Sequence, residues 1–230
     1  MKTAALAALF LLAAPAEAAT RNYSVTSFDR IRVDGPYQVT LKTNVAPFAK
    51  ANGSQQALDA VSIRVEGRTL IVRADPAGSW GGYPGQERGP VTIELGTSDL
   101  ANALVNGAGA LAIDRVKGLK FDFSIQGSGM LRIDQADIDQ MRALLDGSAS
   151  ARLGGRAASI NASIRGTSTF DAGALSVKDA VIVAEGPTVI RATITNSAKI
   201  DARGLTSVTV EGGAACTVKT QGSATVSGCR

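Results

Sequence analysis

Apolar residues in the middle of this chain keep a fixed distance from a recurring glycine. Five tetrads carry it: Asn106-Gly107-Ala108-Gly109, Gln126-Gly127-Ser128-Gly129, Asp146-Gly147-Ser148-Ala149, Arg165-Gly166-Thr167-Ser168 and Glu185-Gly186-Pro187-Thr188. Their first glycines stand 20, 20, 19 and 20 residues apart. Two residues before them come Val105, Ile125, Leu145, Ile164 and Ala184, and four before come Ala103, Phe123, Ala143, Ala162 and Ile182. Four after come Leu111, Leu131, Ala151, Phe170 and Ile190, and six after come Ile113, Ile133, Leu153, Ala172 and Ala192. All of these are apolar in a chain that is 45% hydrophobic, while the residues just before and five after the glycines are mostly polar or charged.

Alternation with period two on both sides of a glycine describes two short strands that face the same interior and meet at a corner. A coil of this size cannot bury its own inward face. Stacked at the roughly 4.8 Å strand spacing, successive coils cover one another and share a continuous apolar column. The pattern therefore predicts an all-β fold, a parallel β-helix or β-roll solenoid with about 20 residues per coil. An antiparallel sandwich is the alternative, but it needs hairpin turns every 8 to 12 residues or so and no fixed register across them.

Residues 97–230 carry the solenoid. Residues 19–96 lack the repeat and read as an N-terminal β cap or first layers, with strands at Phe28–Val33, Tyr37–Lys42, Val61–Val65, Thr69–Arg73 and Val91–Leu95. Glu66-Gly67-Arg68 suits a tight hairpin turn, and Ser54 to Asp59 a single helical turn capped by Ser54. The two cysteines, Cys216 and Cys229, flank Gly222-Ser223. A disulfide between them, across a hairpin or within a compressed final coil, pins the end of the stack.

The first 18 residues read as a signal peptide: Met1-Lys2, an apolar run from Ala4 to Ala14, and the small-x-small site Ala16-Glu17-Ala18. Export follows, to the periplasm or to the cell surface and beyond, where a disulfide persists. No cysteine follows the apolar run, so a lipid anchor of the lipoprotein kind is not expected, and no stretch approaches the roughly 20 apolar residues of a transmembrane helix. Aromatic residues are 4% of the chain and glycines number 25, which fits stacked β structure filled by Val, Ile, Leu and Ala. The net charge of +4 is a mild excess that admits acidic partners, while export and the lack of a basic, aromatic-interleaved cluster argue against nucleic acid.

Three features together resemble the head GIN domain family of auto-transporter adhesins. They are the run Phe28-Asp29-Arg30-Ile31-Arg32-Val33-Asp34-Gly35-Pro36-Tyr37-Gln38-Val39, the segment Gly67-Arg68-Thr69-Leu70-Ile71-Val72, and the series of glycine turns. The resemblance covers nearly all of the chain after the signal peptide. It implies a β-helical fold and an adhesive surface role, and it brings no catalytic residues. An outer-membrane barrel takes at least eight alternating strands of about ten residues, and the residues after the repeats offer no such run, so self-translocation is not expected.

There is no histidine, which removes Ser-His-Asp and Cys-His nucleophile systems and His-ligated metals. No cofactor motif sits in a strand-to-helix setting. A β-helical polysaccharide-cleaving enzyme working with carboxylates is the enzymatic rival: Asp114 and Asp134 recur seven residues after the glycine, but Gly154, Gly173 and Thr193 follow at that place. For binding, the Asp75–Gly89 segment gathers Trp80, Tyr83 and Arg88 among Gly and Pro, where aromatic faces can stack on a sugar or anchor a protein. A second candidate is the outward column Arg132, Arg152, Asp171 and Arg191, a basic ladder interrupted by one carboxylate. The expectation is a non-enzymatic, adhesin-like binding module for a polysaccharide or another cell-surface component, with a structural, self-associating scaffold that forms homo-oligomers as the alternative.

Overall fold

The alternation of buried and exposed residues slips phase twice within each coil, and the slips bend it into three sides. The computed structural model describes residues 19–75 and 89–230; the expected signal peptide, residues 1–18, lies outside the described residues. In chain order the elements are β1 (Ala19–Tyr23), β2 (Arg30–Asp34), β3 (Gln38–Lys42), β4 (Phe48–Gly53), the helix α1 (Gln55–Asp59), β5 (Val61–Glu66), β6 (Thr69–Ala74) and β7 (Thr92–Gly96). There follow β8 (Asn102–Asn106), β9 (Ala110–Gly127), β10 (Met130–Gly147), β11 (Ser150–Gly166), β12 (Thr169–Glu185), β13 (Val189–Gly204), β14 (Ser207–Glu211), β15 (Ala215–Gly222) and β16 (Thr225–Ser227). In β10 the buried residues are Leu131 and Ile133, then Ala136 and Ile138, then Met141, Ala143 and Leu145, with exposed pairs at 134–135 and 139–140 between the runs.

The result is a β-solenoid of about 6 turns with roughly 20 residues per turn. Strands β9 to β13 stack in parallel, each pairing with the coil before and after it. The register aligns the apolar rows read from the sequence: Ile113 beside Ile133, Phe123 beside Ala143, Ala162 beside Ile182. These residues are buried in one continuous core.

The repeated glycines line one edge. Gly127 is the ladder partner of Gly147 and Gly147 of Gly166, and the column runs on through Gly186 and Gly204 to Gly222. At the other end it includes Gly35, whose Cα would stand 3.7 Å from a Cβ added at Gly107. Gly147 shows the constraint: its φ is +105°, and a Cβ there would stand 2.6 Å from the carbonyl oxygen of Gly127. Two residues on, the corner interior changes from Gly109 and Gly129 to Ala149, Ser168, Thr188 and Thr206. The hydroxyls there are buried and partnered: Ser168 Oγ accepts from the Ala149 N–H at 3.3 Å, and Thr188 Oγ1 donates to Thr206 Oγ1 at 3.1 Å.

The spatial order of the coils differs from the chain order near the N-terminus. β2 and β3 form one coil, with β8 and the start of β9 on one side and β6 and β7 on the other. The chain therefore returns past its first coil, through Thr97–Ala101, where the Thr97 hydroxyl donates to the Phe28 carbonyl and the Ala101 N–H to that of Asp29. The outermost strands β4, β5 and β1 are antiparallel, and α1 between β4 and β5 packs Ala57 and Leu58 into the end of the core. Two of these strands, Ala19–Tyr23 and Phe48–Gly53, had no expectation attached, because their short polar and alanine-rich segments carry little alternation. The Glu66–Thr69 hairpin and the Ser54 cap are both present: Glu66 faces Thr69, and Ser54 Oγ accepts from the Ala57 N–H at 3.1 Å.

At the other end β15 pairs with β13 and β16 with β14, both parallel, so the final segment is a compressed coil rather than a hairpin. The Cys216–Cys229 disulfide, with Cα atoms 5.6 Å apart, closes this coil. The inward row that holds Ile182 and Ile200 ends at Val218, which is 41% exposed because no coil covers it.

Two outcomes follow for stability. Gly147→Ala is expected to lower unfolding free energy by more than Gly67→Ala in urea titrations, because Gly67 has φ +62° but open space around it, leaving only a backbone cost of about 1–2 kcal/mol. Equal losses would contradict the close coil approach. Cys216→Ser with Cys229→Ser is expected to cost about 3 kcal/mol and to speed amide exchange first in β15 and β16; uniform exchange changes would show that the bridge does not act on the last coil.

Candidate binding groove

The arginine column expected from the sequence exists as a row: Arg132 is beside Arg152, Arg152 beside Asp171, and Asp171 beside Arg191. Its charge is compensated. Arg132 pairs with Asp134 at 2.6 Å, Arg152 with Asp171 at 3.2 Å and Arg191 with Glu211 at 2.7 Å. The two recurring carboxylates are also engaged. Asp114 accepts from the Thr43 N–H at 2.9 Å and the Arg115 N–H at 2.6 Å, and Asp134 holds Arg132. Trp80, Tyr83 and Arg88 lie outside the described residues; their segment joins β6 to β7, the coil beside the one that turns at Gly35.

A groove of about 430 Å³ opens on a different face, where the second side of each coil bends into the third. In β10 Gln140 and Arg142 project outward on either side of inward Met141. The ladder repeats that triplet. One wall is Lys120, Gln140, Ser159, Asp179 and Ser197, and the other is Asp122, Arg142, Asn161, Val181, Lys199 and Thr217. Met141, Ile160, Ala180 and Ala198 make the floor. From Lys120 to Ala215 the line crosses five ladder steps, about 24 Å at strand spacing.

At one end Lys120 Nζ pairs with Asp122 Oδ2 at 3.0 Å. Asp179 accepts from Ser197 Oγ at 2.6 Å and Asn196 Nδ2 at 2.7 Å, and these bonds, Ser197 first, hold its carboxyl below the usual carboxylate range. Ser159 Oγ donates to the Asp139 carbonyl at 3.1 Å. Gln140, Arg142, Asn161, Lys199 and Thr217 are exposed and make no side-chain hydrogen bond or ion pair among the described residues. The groove thus offers amide, hydroxyl, guanidinium and ammonium groups aimed at solvent above an apolar floor. It holds no aromatic side chain. Among the described residues no group of three or more His, Cys, Asp or Glu is placed to hold a metal ion, and no helix is long and apolar enough to cross a membrane.

The sequence reading passed over these rows. Their signal is present at six residues before the repeat glycine, where Phe121, Met141, Ile160 and Ala180 are apolar, and at five and seven before, where the residues are polar in nearly every coil. Polar outward positions on a solenoid look alike in sequence; what separates a groove wall from a compensated face is which side chains find partners.

No curated protein matches the sequence. The family described as "Putative auto-transporter adhesin, head GIN domain" matches residues 27–214. A "putative adhesin" from Bacteroides fragilis NCTC 9343 has a similar structure, with a TM-score of 0.81 at 17% identity over 91% of this chain and 96% of that one. A "putative lipid binding protein" from Parabacteroides distasonis ATCC 8503 gives a TM-score of 0.72 at 15% identity, covering 93% and 97%. A "putative adhesin" from the same strain gives 0.68 at 18% identity, covering 91% and 96%. At these identities the neighbours speak for the shared fold, and the match over residues 27–214 places the chain in the head GIN domain family.

Proposed function

We propose that this chain is an exported, non-catalytic, adhesin-like module that holds a polysaccharide of the cell surface along the groove. The observation that carries the reading is a straight groove walled by two rows of mostly polar outward side chains, in which Gln140 on one wall and Arg142, Asn161, Lys199 and Thr217 on the other make no side-chain hydrogen bond or ion pair among the described residues. A polysaccharide is the polymer that presents hydroxyl groups at a comparable repeat along an extended chain. Each such bond contributes only about 1 kcal/mol net, so useful affinity comes from several coils engaging one ligand at once.

A peptide is less well served. The strands under the groove pair on both edges with their neighbours, so they offer no free ladder edge to an added strand. Catalysis is not supported either: the chain has no histidine, and the groove's two carboxylates are occupied by Lys120 and by Ser197 and Asn196. The disulfide and the adhesin family both accord with export. The lipid-binding description belongs to a neighbour at 15% identity and brings only its fold here.

The test is a glycan array with the purified chain, followed by titration of the best binder against variants. Gln140→Ala with Asn161→Ala is expected to weaken binding by about 10- to 100-fold, as loss of two or more hydrogen bonds implies, without changing the melting temperature. Arg132→Gln with Arg152→Gln and Arg191→Gln should leave it unchanged. If Trp80→Ala with Tyr83→Ala abolishes binding while the groove variants do not, the site belongs to the 75–89 segment. Failure to bind any glycan, with oligomers that grow with concentration in light scattering, would replace this reading with the scaffold.

A further inference from the structure

We infer that the groove selects an acidic linear polysaccharide, whose carboxylate or sulfate groups pair with Arg142 and Lys199; this rests on the groove reading above. Both cations stand on the same wall, both are exposed, and neither has a carboxylate partner among the described residues. Arg115, Lys117, Arg165, Lys178 and Lys219 also form no ion pair among the described residues, but none of them lines the groove. The outward arginines at 132, 152, 156, 191 and 203 are each paired with an Asp or Glu on the same strand or a neighbouring one.

The carboxylates near the two cations are already taken. Asp122, the ladder neighbour of Arg142, holds Lys120. Asp201, two residues from Lys199, binds Arg203 through both oxygens at 2.9 and 3.0 Å. Asp179 on the facing wall is held in place by Ser197 and Asn196, neutral donors that leave its charge in the groove, and it forms no ion pair with either cation. On its own ladder Lys199 lies between Val181 and Thr217, and Arg142 has Asn161 as its other neighbour. The groove therefore keeps two cations outside any ion pair, three ladder steps or about 14 Å apart, and its lining carries a net charge of +1 from Lys120, Arg142 and Lys199 against Asp122 and Asp179.

An acidic glycan chain lying along the axis presents an anion to each cation, while its hydroxyls meet Gln140, Asn161 and Thr217. The exposed site makes each ion pair modest, but Arg can grip a carboxylate or sulfate with two parallel bonds. A nucleic acid is disfavoured because no aromatic ring lines the groove to stack a base.

The experiment measures binding of the purified chain, by calorimetry, to oligogalacturonate, to a sulfated dextran, to neutral cello-oligosaccharides and to single-stranded DNA of equal charge. The expected result is tighter binding to one or both acidic glycans than to the neutral one, weakening as salt is raised. Arg142→Gln and Lys199→Gln should each cost about three- to tenfold on the acidic ligand, with unchanged melting temperature, and the Arg132, Arg152 and Arg191 variants nothing. Preference for the carboxylated over the sulfated arm, or the reverse, identifies which anion is recognised. Equal binding of neutral and acidic glycans, insensitive to Arg142 and Lys199 but sensitive to Gln140 and Asn161, overturns this inference and leaves the groove reading standing. Preference for DNA overturns the inference too, and no binding to any glycan overturns both.

Discussion

No coil of this molecule is stable alone, because its inward side chains are covered only by the coils above and below. The apolar rows and the parallel ladders are therefore one constraint: a coil that slips register by a single residue turns its whole inward set toward water. Backbone approach at the corner tightens the same constraint. Gly127, Gly147 and Gly166 stack as ladder partners, and the space between them has no room for a Cβ. Where the corner interior later takes up Ser168, Thr188 and Thr206, their hydroxyls bond across coils and into corner carbonyls, so the polar substitution leaves no buried group unpaired.

Stacking in register also organises the outside. Every outward position becomes a row along the axis, and its chemistry depends on what neighbours it one coil away or two residues away. On the face of Arg132, Arg152 and Arg191 those neighbours are carboxylates, and the row becomes a set of internal ion pairs. Exposed pairs of this kind contribute about 0–1 kcal/mol each, so the effect is to remove free charge more than to add stability. Along the groove Asp122 is held by Lys120 and Asp179 by Ser197 and Asn196, the remaining neighbours are amides, hydroxyls and Val181, and Arg142 and Lys199 form no ion pair.

How much of this was legible in the sequence follows from the range of the interactions involved. The coil repeat was visible because it is written locally, in rows of Leu111, Leu131, Ala151, Phe170 and Ile190 beside glycines at near-constant spacing. The Ser54 cap and the Gly67 turn were visible for the same reason, since each is settled within a few residues. The place of β2 and β3 between later coils was not, because it depends on pairings such as Arg30 with both Thr69 and Asn102 that no local pattern announces. The final coils also escaped the spacing, since Gly204 and Gly222 follow at 18 residues. For the site, composition favoured the column richest in arginine, and only the ladder reveals that Asp134, Asp171 and Glu211 neutralise it.

The two ends of the solenoid bear on whether a partner meets the side or the tip. At one end antiparallel strands and α1 cover the core, and the outer strand β5 places Arg64 near Asp75 and Glu66 near Arg73. At the other, β15 carries Thr217, Lys219, Thr220 and Gln221 and is tied by the disulfide, β16 is only three residues long, and the Arg230 N–H bonds the Ala214 carbonyl. Short strands, charge and a covalent tie are the devices by which sheet edges resist adding further strands. These features blunt the strand edges at both tips, while Val218 is left partly bare. The lateral face has no such protection to overcome, because its strands are already paired and its unsatisfied groups belong to side chains. On the proposed reading, an extended ligand there would gain one more set of contacts with each coil it crosses, which is why a repeating scaffold suits a repeating polymer.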